Sequence, residues 1–152
     1  MQIEYRTGDL LSAPELVVVQ GCNAQGAMNS GVAKLIRERC PKVFDEYSRV
    51  HKSEGLAMGQ VIWVEESTRR VYANAITQQF YGREPNHRYA SYDAIALAFE
   101  EINHIMGEMR VAMPLIGAGL AQGDWQIISR IIERECREVQ PVVYLLDGII
   151  PK

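Results

Sequence analysis

Two glycine-rich segments hold the residue types best suited to chemistry in this chain. The first is GCNAQGAMNSG, Gly21–Gly31, and the second is PLIGAGLAQGDW, Pro114–Trp125. Each follows a short apolar run and precedes a stretch with helical spacing. Glycine lets a backbone approach a ligand closely. A helix N-terminus adds unpaired N–H groups and a positive dipole end. Two such units would point N–H groups into one cleft, as a diphosphate requires. Gly21, Gly26 and Gly31 serve the first cradle, and Gly117, Gly119 and Gly123 the second. Common phosphate motifs do not match. Neither loop has the GKS or GKT of a Walker A loop. Gly117, Gly119 and Gly123 give GxGxxxG, too long for the dinucleotide fingerprint, with too little chain following. A GxSxG elbow is absent. Asp124, the only acidic residue of the second loop, is placed to cap the following helix and is a candidate base on water.

These loops need strands and helices to hold them. Gln2–Tyr5, Leu16–Gln20, Arg110–Met113 and Pro141–Leu146 read as strands, the last three as buried ones. Gly59–Glu65 and Arg70–Ile76 read as a strand pair joined by the polar Glu66–Arg69. Gly31–Arg39, Val43–His51, Ser91–Ile105 and Trp125–Val139 have helical spacing. In Ser91–Ile105 the inward residues are expected to be Ile95, Leu97, Ala98, Phe99 and Ile102. Buried Val, Ile and Leu runs interleaved with helices indicate an α/β fold whose mixed, mainly parallel sheet is covered on both faces.

The chain has 152 residues and a formal charge of −3, with 47% hydrophobic and 23% charged residues. That predicts one domain over residues 1–152 with a sizeable core. Mild acidity argues against broad nucleic-acid binding, which rests on Lys and Arg neutralising many phosphates. A small anionic ligand held by backbone N–H groups remains compatible. Cys22, Cys40 and Cys136 form neither a disulfide framework nor a CxxC knuckle, and His51, His87 and His104 lie far apart. No metal and no cofactor is expected. The N-terminal MQIEYRTGDLLS lacks the shape of a signal peptide, and no apolar run approaches a membrane span. The expected setting is cytoplasmic, with no membrane partner.

Gly8-Asp9-Leu10, a buried strand, GCNAQGAMNSGVA and then PLIGAGLAQGDW resemble, in order and spacing, the macrodomains. The branch most similar is that of ADP-ribose 1″-phosphate phosphatases and ADP-ribosyl-ester hydrolases. The resemblance covers nearly the whole chain and implies a three-layer α/β/α macrodomain fold. It implies ADP-ribose or ADP-ribose 1″-phosphate as ligand, with ADP-ribosylated macromolecules as further partners. Asp9 then matches the acceptor for the adenine amino group, and Leu10 a backbone N–H and apolar edge beside it. Met28, Asn29, Ser30, Gly31 and Val32 match the loop around the distal ribose and one phosphate. Ile116, Gly117, Ala118, Gly119 and Leu120 match the loop whose amides hold the diphosphate. Asn23 matches a polar position beside the distal ribose.

The departures bear on activity. Gln20 stands where related phosphatase-like sequences often carry His, and an amide is no acid or base near pH 7. Asn29 replaces a glycine of Met-Gly-x-Gly. Thr77-Gln78-Gln79 and Ala121 stand where the ester hydrolases use a lysine and an aspartate, which argues against a lysine adduct. Gln20 and Asn23 are left to position water, with Asp124 as candidate base. Gln78–Tyr92 would form a cleft wall, with Tyr81 stacking near the distal ribose and Arg83, His87 or Arg88 meeting a terminal phosphate. His87 is a candidate acid or base only if it lies in the cleft. The expected reaction is hydrolysis of ADP-ribose 1″-phosphate to ADP-ribose and phosphate. The alternatives are a hydrolase that removes ADP-ribose from macromolecules, or a reader without turnover, which Gln20 and Ala121 favour.

Overall fold

The computed structural model describes Met1–Lys152 in full. In chain order the elements are β1 Glu4–Thr7, a short 3-10 turn at Leu10–Ser12, β2 Val17–Asn23, α1 Gly31–Arg39, α2 Pro41–Glu54, β3 Val61–Ser67 and β4 Arg70–Gln78. There follow α3 Tyr92–Met106, β5 Arg110–Met113, α4 Trp125–Glu135 and β6 Gln140–Leu145. The strands form one sheet in the order β1-β6-β5-β2-β4-β3. All neighbours are parallel except β3 and β4, so the sheet is mixed and mainly parallel.

Side-chain alternation along the strands feeds two cores. Val17, Val19 and Met113 face α3 and α4, where Phe99, Ile102, Ile128 and Ile132 are buried. Val18, Cys22, Tyr72 and Ile76 face α1 and α2, where Ile36, Val43 and Tyr47 are buried. The result is three layers, as the apolar patterning indicated.

Some boundaries differ from the sequence reading. β2 runs on to Asn23, because Gly21 and Cys22 pair with Ala75 and Ile76 of β4. β1 is shifted to Glu4–Thr7 by its register with Val142–Leu145. α4 stops at Glu135, and Glu138 and Val139 instead donate their N–H groups to Asn103 Oδ1. Leu97, expected inside, is 54% exposed. At 100° per residue it lies across the helix from Ile95 and Ile102. Its side chain covers Gly59, where an added Cβ would sit 2.7 Å from Leu97 Cβ.

Candidate functional site

β2 and β5 are neighbours, yet the chain leaves β2 for the α1 face and β5 for the α4 face. Such a reversal opens a crevice beyond the strands' carboxyl ends. A cleft of about 450 Å³ lies there, lined by both glycine loops and by the segment after β4. A second pocket of about 310 Å³ adjoins it and shares Val32, Pro114 and Leu115. Asp9 and Leu10 line this second pocket, and the remaining ligand candidates divide between cleft and core.

The first loop is organised by Asn23. Its Oδ1 accepts from the N–H groups of Gln25 and Ala27 at 3.0 and 3.3 Å, and its Nδ2 donates to Ala27 C=O. Tyr47 Oη donates to Asn23 C=O from behind. Asn23 lines the cleft, but its side chain is largely occupied in shaping the loop. Gly26 and Met28 do not line the cleft. Gly26 (φ 76°) lies against His51, and an added Cβ would come within 2.5 Å of His51 Nδ1. Met28 is 1% exposed and packs into the core beneath α1 and α2. Apolar burial there outweighs an outward orientation of the Met28 side chain. Asn29, Ser30, Gly31 and Val32 do line the cleft. Ser30, the N-cap of α1, makes no side-chain capping bond, so the first turn of α1, which lines the cleft, keeps its amides uncapped.

The second loop is folded by bonds from Ala118 N to Leu115 O, Gln122 N to Gly119 O and Gly123 N to Gly117 O. These leave the amides of Gly119, Leu120 and Ala121 unused. Ile116, Gly117, Ala118, Gly119 and Leu120 all line the cleft, as does Ala121. At Gly117 (φ 75°) an added Cβ would press on Ile128, Ala90 and Ile95 at 3.1–3.3 Å. At Gly119 it would meet nothing within 4 Å. Both loops thus bring amides without a protein acceptor to one cleft, which suits a bridging anion.

Asp124 is the N-cap of α4, and its Oδ1 accepts from Gln126 N at 2.9 Å. It is absent from the lining, which corrects its candidacy as a cleft base. Accepting one first-turn N–H at a helix start is enough to fix an Asp in this way. Gln20 lines the cleft and is 1% exposed. Its Nε2 donates to Asn74 Oδ1 at 2.8 Å, and the two residues are register partners in β2 and β4. Gln20 Oε1 and Asn74 Nδ2 are buried without a partner. Each such group costs about 1–3 kcal/mol. Cys22 also lines the cleft, but burial pushes its thiol up, so it stays protonated at neutral pH. No Asp, Glu, His or Lys lines the cleft.

Asp9 caps the Leu10–Ser12 turn. Its carboxylate accepts from Leu11 N and Ser12 Oγ and lies 3.4 Å from Arg39. The Leu11 N–H, then Arg39 and Ser12, hold its carboxyl below the usual carboxylate range. The Gln78–Tyr92 segment does form a wall. Tyr81, 57% exposed, Gly82 and Arg83 line the cleft. His87 does not; its ring packs edge-on against Tyr89. Sequence reasoning missed Thr77 and Asn74. Thr77 is buried beside the floor, its Oγ1 against Gly21, and its signal was only a hydroxyl at the end of an apolar strand.

The fold and this bipartite cleft define an α/β protein with an extended crevice between two glycine loops. A family model described as "Macro domain" matches residues 19–132, and the chain belongs to that family. It is 23% identical to the ADP-ribose 1″-phosphate phosphatase of Candida albicans, over 82% of this chain and 87% of that protein. It is 26% identical to ADP-ribose glycohydrolase OARD1 of Homo sapiens, over 95% of this chain and 92% of that protein. The macrodomain of Mycobacterium tuberculosis DarG superposes with a TM-score of 0.80 at 22% identity, covering 94% of this chain and 97% of that one.

Proposed function

We propose that this macrodomain binds ADP-ribose across both pockets and hydrolyses the 1″-phosphate of ADP-ribose 1″-phosphate. One observation carries the reading: two glycine loops whose amides have no partner within the protein line one cleft, which shares residues with the Asp9–Leu10 pocket. Adenine sits beside Asp9 and Leu10, the diphosphate between the loops, and the distal ribose by Asn29 and Tyr81. The names of the relatives in Candida albicans and Homo sapiens place ADP-ribose chemistry in the family. Backbone amides stabilise charge that develops on a phosphate oxygen. Gln20 stands at the cleft floor with its Oε1 unpartnered but out of solvent reach, and a change of rotamer would turn it toward water. All three cysteines are free thiols, which suits a reducing cytoplasmic setting. A single domain over residues 1–152 is part of the same reading.

A second reading is a reader without turnover, or a slow hydrolase acting on ADP-ribosylated macromolecules. It is favoured by the cleft's lack of a carboxylate or imidazole. Calorimetry with ADP-ribose tests binding, and phosphate release from ADP-ribose 1″-phosphate tests turnover. No binding in the micromolar range sinks both readings. Binding without phosphate release leaves the second.

A further inference from the structure

Two arginines and a histidine lie in the wall after β4, and the structure uses them differently. Arg88 stacks on Tyr92, its guanidinium carbon 4.0 Å from the ring centroid. His87 packs against Tyr89 with centroids 4.2 Å apart. Arg83 has no ion pair, hydrogen bond or aromatic face, and it is the only charged side chain lining the cleft. It lies outside the part shared with the Asp9 pocket.

The backbone beside Arg83 is anchored on both sides. Glu84 N–H donates to Tyr89 Oη at 3.2 Å, and Gln122 Nε2 donates to Glu84 C=O at 2.7 Å. Gly82 leaves room for the Tyr89 hydroxyl, which a Cβ would overlap. Tyr89 and Ala90 in turn donate their N–H groups to Ala121 C=O. The wall is therefore fastened to the second glycine loop, and less freedom is lost when its arginine engages a ligand.

We propose that Arg83 is a specificity-determining residue that reads a phosphomonoester on C1″ of the distal ribose. This rests on the ADP-ribose reading above. A guanidinium fork matches phosphate bidentately, whereas ADP-ribose offers only a hydroxyl at that position. The lone free cation of an otherwise uncharged lining distinguishes the two ligands by that group alone.

The test is calorimetry with ADP-ribose and ADP-ribose 1″-phosphate on the wild-type chain, Arg83→Gln, Arg83→Lys and Arg88→Gln. The readout is the ratio of the two dissociation constants. Wild type is expected to prefer the 1″-phosphate, and Arg83→Gln to reduce that preference roughly tenfold. Arg83→Lys retains part of it, and Arg88→Gln leaves the ratio alone. Equal losses for both ligands in Arg83→Gln, no loss, or an equal effect of Arg88→Gln would overturn the assignment while leaving ADP-ribose binding intact. A wild-type chain that fails to bind ADP-ribose removes the underlying reading and this one with it.

Discussion

Gly119→Glu is the sharpest perturbation of the cleft. Gly119 lines the cleft and its amide makes no bond within the protein. A Cβ added there meets nothing within 4 Å, so the fold should accept a side chain. The new carboxylate would stand among the amides assigned to the diphosphate. At roughly 5 Å and an effective dielectric near ~40, each unit of phosphate charge is repelled by about 1.7 kcal/mol, so two units give about 3 kcal/mol. That is a loss of about 150-fold in affinity. Calorimetry with ADP-ribose measures the loss, and thermal unfolding checks the fold. Gly119→Ala serves as the uncharged control and should bind nearly as well as wild type. Affinity of Gly119→Glu within threefold of wild type, with an unchanged melting temperature, would refute the placement of the diphosphate.

Other outcomes follow from single contacts. Gly26→Ala forces a Cβ to within 2.5 Å of His51 Nδ1 at φ 76°, and should destabilise the chain by about 2 kcal/mol in urea unfolding. His51→Ala in the same chain should recover the steric part; a double variant as unstable as Gly26→Ala would disprove the clash. Gln20→His should give phosphate release that rises as pH passes the ordinary histidine value near ~6.5, by roughly tenfold or more. A flat pH profile at the wild-type rate would show that Gln20 does not face the reacting phosphate. Asp9 has a depressed carboxyl pKa in the folded chain, chiefly from the Leu11 N–H. Its contribution is therefore full above the unfolded value near ~3.9 and is lost as pH falls through the lower folded value. The stability gap between wild type and Asp9→Ala should shrink below about pH 4; a gap that widens on acidification contradicts this.

The layers were legible because burial writes itself locally. Runs such as Leu16–Gln20 and the stripe of Ile95, Ala98, Phe99 and Ile102 state their environment without a partner. The glycine loops were legible for the same reason, since helix starts and φ-permissive residues leave local marks. Side-chain direction within the loops was not. Met28 stands among cleft residues in sequence, yet its thioether enters the core beneath α1. Asn74 became visible only once β2 and β4 were in register, because nothing near it in sequence names Gln20 as its partner. The wall was legible as aromatic and basic, but Arg83, His87 and Arg88 separate only through Tyr89, Tyr92 and Gln122, which lie up to dozens of residues away.

The charge of −3 acquires a more specific meaning from the cleft. Affinity for a polyanion such as nucleic acid grows with the number of cations set against its phosphates. The cleft sets one, Arg83, and otherwise presents neutral amides. Amides held by loop geometry discriminate by position rather than by total charge, because each must lie within about 3 Å of an oxygen. A short diphosphate between two fixed loops satisfies that condition, and a long phosphodiester chain gains nothing from it beyond the cleft. Under the proposed reading, net acidity and phosphate recognition are compatible, because backbone amides would hold the diphosphate and Arg83 would be the one cation set against it. The glycines at 21 and 117 matter for the same reason: a side chain there would strike Thr77 or Ile128 and move the amides themselves.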